Sequence, residues 1–337
     1  MSIKAERFVL LKRPTGVPDE SAFALEQVTI FTELKQNELL LHGLYYSVDP
    51  YMRGRMSGAK SYVAPFALNQ PMEGSVIARV AASNSSAFRP GDLVLGQLAW
   101  ATEMVVKAES VSKIDTTDAL ASEHLGILGM TGLTAYFGLL KIGQPKAGET
   151  VVISGAAGAV GTVVGQIAKI KGCKAIGIVG SDEKSKLIKD RFGFDASINY
   201  KTQKDLASQI KLACPDGVDV YYDNVGGDIS DAVMQNMNFK SRIVLCGQIS
   251  LYNAKEVPVG PRIQPLLLTR SILMQGFIVT NFQSQFPEAI ADLSKWLRDE
   301  KIESSETVLE GFENLPKALI GLFSGKNTGK MIVKAAA

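Results

Sequence analysis

Residues 151–161 constrain the chain most. Val151, Val152 and Ile153 lead through Ser154 into Gly155-Ala156-Ala157-Gly158-Ala159-Val160-Gly161, and a helix-compatible stretch continues through Ile167 and Ala168. A diphosphate needs backbone N–H groups and the positive end of a helix dipole, with no side chains holding it away. Gly158 and Gly161 are the candidates for close approach, and Ala156 and Ala157 keep the turn thin. The glycine spacing is G-x-x-G-x-x-G, not G-x-G-x-x-G, so taken alone it also suits a tight strand–helix turn in another α/β protein.

The rest of the chain favours dinucleotide binding. Apolar runs recur at 150–154, 175–180, 196–199, 218–223, 242–247 and 272–279, and helix-compatible stretches at 159–171, 182–192, 203–213 and 229–238 separate the first five. This alternation implies crossover connections and a doubly wound parallel sheet, and six runs match a complete dinucleotide-binding domain. Phe286, Ile290, Leu293 and Leu297 share one face of a later helix. The first third differs. It is made of short Val-, Leu- and Tyr-rich strands, with a turn at Arg89-Pro90-Gly91-Asp92 suited to type II geometry. The strand at 331–334 should return to that first domain. The expected division is a β-rich domain of residues 1–124 and 303–337, with a nucleotide-binding domain of 125–302 inserted in it.

Composition excludes several classes. The chain has 337 residues, 46% apolar and 21% charged, with a net charge of only +2. That balance suits a soluble globular protein and gives no reason to expect nucleic acid as a partner. No stretch supplies the ~18 apolar residues of a membrane helix, and charges at Lys4, Glu6, Arg7, Lys12 and Arg13 interrupt any leader-like run. Cys173, Cys214 and Cys246 are too few and too scattered for a disulfide framework, which points to a cytoplasmic setting.

The second strand of the nucleotide domain bears on the coenzyme. An NAD site wants an acidic residue there, about 20 residues after the glycine turn, to accept from the ribose 2′-OH. Here the strand runs into Gly180-Ser181, and Lys184 follows one helical turn later. Gly180 leaves room for a 2′-phosphate, Ser181 could donate to it and Lys184 could neutralise it, which favours NADPH. The plainer alternative makes Ser181 or Asp182 a helix cap and Lys184 a solvated charge.

What is missing also narrows the chemistry. The only histidines are His42 and His124, and no cysteine pair has zinc-ligand spacing, so no metal is expected. Ser154-Gly155 lacks a nucleophile elbow.

Several stretches together resemble the zinc-independent medium-chain dehydrogenase/reductases, in the group of the prostaglandin reductases (leukotriene 12-hydroxydehydrogenases), bacterial curcumin reductases and plant alkenal reductases. They are Ser47-Val48-Asp49-Pro50-Tyr51-Met52-Arg53, Gly132-Leu133-Thr134-Ala135-Tyr136, the Ala156–Gly161 turn, Asn199-Tyr200-Lys201, Asp223-Asn224-Val225-Gly226-Gly227, Cys246-Gly247-Gln248-Ile249-Ser250 with Tyr252-Asn253, and Gly325-Lys326-Asn327-Thr328-Gly329-Lys330. One departure is Thr131, where many members carry Pro. The resemblance implies a Rossmann domain, a GroES-like catalytic domain, a homodimer, and NADPH-dependent reduction of the carbon–carbon double bond of enones and enals.

Carried onto matching positions, it implies that Lys184 and Tyr200 hold the 2′-phosphate and that Gly180 and Ser181 line that corner. Ala157, Gly158, Val160 and Gly161 would meet the diphosphate. Asn224, Cys246, Gly247, Tyr252, Phe277 and Asn327 would meet the remainder of the coenzyme. Tyr252 would face the substrate carbonyl as the catalytic hydrogen-bond donor, with Tyr51 a weaker candidate for the substrate wall. Tyr252 could instead merely cover the coenzyme as an aromatic loop residue. Asp223 and Gly226-Gly227 suit a turn after the fourth strand, and Lys201 has a bland surface reading. Two other functions stay open: a quinone reductase of the same superfamily, and a coenzyme-binding protein with a structural or sensing role.

Overall fold

The computed structural model describes residues 1–335. Residues 336 and 337, assigned above to the first domain, lie outside the described residues. The chain divides into two compact units, one of Met1–Leu125, Thr307–Asn327 and 331 onward, the other of Gly126–Glu306 with Thr328–Lys330.

The first unit is β-rich. Strands Glu38–Ser47, Glu73–Ser83 and Leu93–Ala99 pair antiparallel in sequence, and Lys330–Lys334 joins the free edge of Glu38–Ser47 with Ile332 opposite Ser47. Ser2–Leu10 and Phe23–Phe31 form a separate two-stranded ribbon. Trp100, Tyr46, Leu41, Met52 and Leu315 are fully buried in this unit's core. Gly91 takes φ +94° at the turn expected there, a conformation open to glycine at no steric cost.

The second unit holds six parallel strands: β1 (Thr150–Ser154), β2 (Lys174–Val179), β3 (Ala196–Asn199), β4 (Val218–Asp223), β5 (Met237–Leu245) and β6 (Leu273–Gly276). Their spatial order is β3-β2-β1-β4-β5-β6. Helix α1 (Ala159–Ile170) links β1 to β2, α2 (Asp182–Asp190) links β2 to β3, α3 (Leu206–Ala213) links β3 to β4 and α4 (Gly227–Met234) links β4 to β5. Every residue of β1 is buried, as a central parallel strand covered on both faces requires. The order reverses between β1 and β4, and a crevice beyond the carboxyl ends of those two strands is where such sheets bind ligands.

The largest departures from the sequence reading lie around β5 and β6. The helix read over 229–238 stops at Met234, and β5 starts at Met237 rather than at 242. Asn236 and Asn238 use their amides to bond the Ala207 carbonyl and the Asp219 carboxylate, which draws the chain out of the helix. The register then jumps from Val218 opposite Met237 to Val220 opposite Arg242, with Lys240 at φ +56°. The apolar run at 272–279 yields only a four-residue edge strand.

The second unit also extends to Glu306 and captures Thr328–Lys330, beyond the boundary expected at residue 302. Hydrogen bonds account for this. Gln166 bonds both the N–H and the carbonyl of Glu303, Arg191 bonds the Glu303 carboxylate, and Lys330 N–H reaches Ser305 O at 2.7 Å.

Candidate active site

The glycine turn leaves β1 at Ser154. Gly155 adopts φ +60°, which reverses the chain, and its carbonyl accepts from Gly158 N–H at 2.9 Å. Gly158 is then the extended N-cap of α1, and Thr162 N–H is the first to return to it, at 3.0 Å. Preceding N–H groups, those of Val160 and Gly161 among them, have no acceptor within the helix and head its positive end. A Cβ on Gly158 would meet only Gly155 O, at 3.2 Å, whereas one on Gly161 would stand 2.4 Å from Gly155 O and 2.7 Å from Ala156 Cα. Gly161 is therefore demanded by the packing of the helix on its own turn, and Gly158 is the position open to close approach. Gly329 N–H donates to Ala157 O at 2.8 Å and so braces the turn from the far end of the chain.

At the end of β2 the structure assembles a cationic corner. A Cβ on Gly180 would lie 3.3 Å from both Cε1 and the hydroxyl of Tyr200 and 3.5 Å from Lys201 Cε. Ser181 caps α2, its Oγ accepting from Lys184 N–H at 3.3 Å, and its hydroxyl also bonds Glu183. The capping alternative thus describes Ser181. Asp182 is turned away, accepting from Asn199 Nδ2 at 2.7 Å. Burial, and then the neighbouring Lys201 charge, lower the pKa of Lys184 below the usual lysine value. Lys201, bland in the sequence, thus shares this corner. Its adjacency to Tyr200 was the only signal.

The crevice beyond β1 and β4 gathers Asn224, Cys246, Gly247 and Tyr252. Asn224 donates from its backbone to Ser154 Oγ at 2.9 Å and from its amide to Ser154 O at 2.8 Å, joining the two strand ends. Cys246 and Gly247 N–H groups reach Asp223 O at 2.9 and 3.0 Å. Burial pushes the Cys246 thiol up to about 12, so it stays protonated at neutral pH. Tyr252 OH accepts from Gln248 N–H at 3.2 Å and lies 3.4 Å from where a Cβ on Gly247 would stand. Burial raises the Tyr252 pKa, with the Gln248 N–H opposing it. The phenol is therefore protonated across the neutral range. Phe277 follows β6 and crowds Gly138, where a Cβ would meet both its ring and the Tyr222 hydroxyl.

Tyr51 and Asn327 belong to the other unit. Tyr51 precedes the short helix Met52–Met56, and burial followed by the Asp49 charge raises its pKa. Thr131, the departure from the family pattern, donates to Gly126 O at 3.0 Å, and Gly132 is compulsory because a Cβ there would stand 1.7 Å from Ile127 O. His42 pairs with Glu103 at 2.5 Å and His124 with Asp115 O at 2.9 Å. Among the described residues no group of three or more His, Cys, Asp or Glu could hold a metal ion.

Comparison with known proteins agrees with this architecture. Residues 6–114 match a family described as the N-terminal domain of oxidoreductase, and residues 159–295 one described as zinc-binding dehydrogenase. The chain is 41% identical to an NADPH-dependent curcumin reductase of Escherichia coli (strain K12), over 98% of this chain and 96% of that protein. It is 44% identical to prostaglandin reductase 1 of Bos taurus, over 99% and 100%. With a 2-alkenal reductase (NADP(+)-dependent) of Nicotiana tabacum the identity is 40%, over 98% and 97%. The crystal structure of CurA in complex with NADPH from Vibrio vulnificus superimposes with TM-score 0.93 at 43% identity, covering 98% of this chain and 99% of that one. The chain belongs to the medium-chain dehydrogenase/reductase family, in the group of the curcumin, prostaglandin and alkenal reductases.

Proposed function

We propose that this chain is an NADPH-dependent reductase of the carbon–carbon double bond in α,β-unsaturated ketones and aldehydes, working without zinc. The observation that carries the reading is a neutral phenol, Tyr252, held by a backbone N–H in the crevice at the strand-order reversal.

The residues present fit a phosphorylated dinucleotide. The turn at Gly155–Gly161 offers helix N-terminal N–H groups to a diphosphate, and Gly158 is open to its close approach. Tyr200 and Lys201 flank Gly180, and Lys184 lies within reach of the Lys201 charge, a cluster suited to the 2′-phosphate. The bound coenzyme supplies the hydride. Its acceptor is the substrate β-carbon, which the cleft must hold within about 3–3.5 Å. Charge then grows on the substrate carbonyl oxygen, to which the Tyr252 hydroxyl donates a hydrogen bond, and a proton taken up from water at the α-carbon completes the reduction. Because the phenol is neutral and already placed, this stabilisation needs no metal.

A homodimer and a cytoplasmic setting belong to the same reading. The β6 edge carries half-exposed Leu273, with Leu268 at 80% exposure nearby, and pairing of two β6 edges would cover both. Sedimentation should then find a dimer.

The test is a panel of enals, enones, quinones and simple alcohols, assayed with phosphorylated and unphosphorylated coenzyme. Enals and enones with NADPH should give the highest kcat/KM. Absence of NADPH preference, or turnover of alcohols with no attack on conjugated carbonyls, overturns the proposal, and a preference for quinones replaces it.

A further inference from the structure

Asp223, the last residue of β4, is completely buried, yet among the described residues it has no ion-pair partner. Six donors take the place of a cation. Oδ1 accepts from Ser154 Oγ at 3.0 Å, Tyr221 OH at 2.8 Å, Val225 N–H at 3.0 Å and Gly226 N–H at 2.9 Å. Oδ2 accepts from Ser230 Oγ at 3.0 Å and Gln248 Nε2 at 2.9 Å. A buried carboxylate must be satisfied, but the Val225 and Gly226 N–H groups alone would close the turn. Gln248 is 25 residues away in the chain and takes no part in that turn.

That residue connects the carboxylate to Tyr252. Its amide is anchored on Asp223 and on Gly247 O, while its backbone N–H donates to Tyr252 OH. Gly226, at φ +74°, makes room for the amide, since a Cβ there would lie 2.1 Å from Gln248 Oε1. Ser250 ties the same segment to Val225 O through both its N–H and its hydroxyl. Among these ties, the Gln248 amide is the one that reaches the carboxylate.

We propose that Asp223, acting through Gln248, is a positioning residue that aims the Tyr252 hydroxyl. The carboxylate holds the amide and the amide holds the segment. The Gln248 N–H then occupies a lone pair of the phenol oxygen and leaves its proton for an acceptor in the crevice. The inference rests on the role proposed above for Tyr252.

The experiment is a double-mutant cycle. Gln248→Met keeps the volume and removes the donor. It should lower kcat with an enone by about tenfold and leave the KM for NADPH within about twofold. In a Tyr252→Phe background the same substitution should change kcat by less than about twofold, because the hydroxyl it would aim is gone. Gln248→Glu supplies a second variant. Protonated, it can still donate to Asp223; ionised, it cannot, so its kcat should recover as pH falls, and only where Tyr252 is present. Wild-type kcat in Gln248→Met, or an equal loss in both backgrounds, overturns the inference. Full turnover by Tyr252→Phe alone strikes first at the proposed role of Tyr252 and removes this inference with it.

Discussion

The Tyr200 hydroxyl and ring edge lie 3.3 Å from the point where a Cβ on Gly180 would stand, so Tyr200 occupies the flank of a position that in an NAD site continues towards an acid. Substituting Gly180→Asp should displace Tyr200 and set a carboxylate beside the proposed phosphate. The Kd for NADPH should rise roughly 10- to 100-fold, the equivalent of about 1.5–3 kcal/mol for a charged hydrogen bond, while that for NADH holds or improves. Titration of both coenzymes by fluorescence checks this.

The lysine pair in that corner makes a pH prediction. Burial and the Lys201 charge lower the pKa of Lys184, so its positive charge is present at neutral pH and is lost at a lower pH than for an ordinary lysine near 10.4. NADPH affinity should therefore weaken on the alkaline side beginning below that value, with NADH affinity flat. Lys184→Met should remove the early part of the alkaline limb and reduce the preference for NADPH. Lys201→Met should weaken NADPH binding and move the limb to higher pH, because one of the two causes of the shift has gone. Kd values measured from pH 7 upward decide it.

Gly161 makes a stability prediction. An added methyl would stand 2.4 Å from a backbone oxygen of the same turn, and no flexible side chain can give way there. Gly161→Ala should cost about 1–3 kcal/mol, or several degrees in Tm at roughly 2–4 °C per kcal/mol. Gly158→Ala, facing one oxygen at 3.2 Å, should cost less stability and more coenzyme affinity. Thermal unfolding beside NADPH titration separates the two.

Tyr252→Phe removes the hydroxyl and keeps the ring. Turnover of an enone should fall by roughly 10- to 100-fold with NADPH affinity retained, the scale of one hydrogen bond to a charged group. Since burial raises the phenol's pKa, wild-type kcat should show no loss of this donor up to about pH 10. Steady-state kinetics over that range would expose an earlier fall.

Much of the nucleotide unit was legible in the sequence because its signals are local. A strand buried on both faces reads as an unbroken apolar run, and Val151, Val152 and Ile153 are all fully buried. The glycine turn is contiguous in the chain. Side chains can overrule periodicity: the amides of Asn236 and Asn238 end a helix whose apolar spacing runs to 238. Gly161 is a related case: it packs against Gly155 O and Ala156 Cα of its own turn, a requirement that the glycine spacing does not reveal.

Sequence alone determined the alternation of strands and helices, the glycine turn and the lack of an acid at the end of β2, because each depends on residues adjacent in the chain. Tertiary structure decided what depends on distance in sequence. It brought Lys201 beside Gly180, set Gly329 against the Ala157 carbonyl, and joined Asp223 to Gln248 across 25 residues. A buried carboxylate or a cationic corner is defined by which groups converge in space, and pairing between distant segments leaves no period in the chain from which to read it.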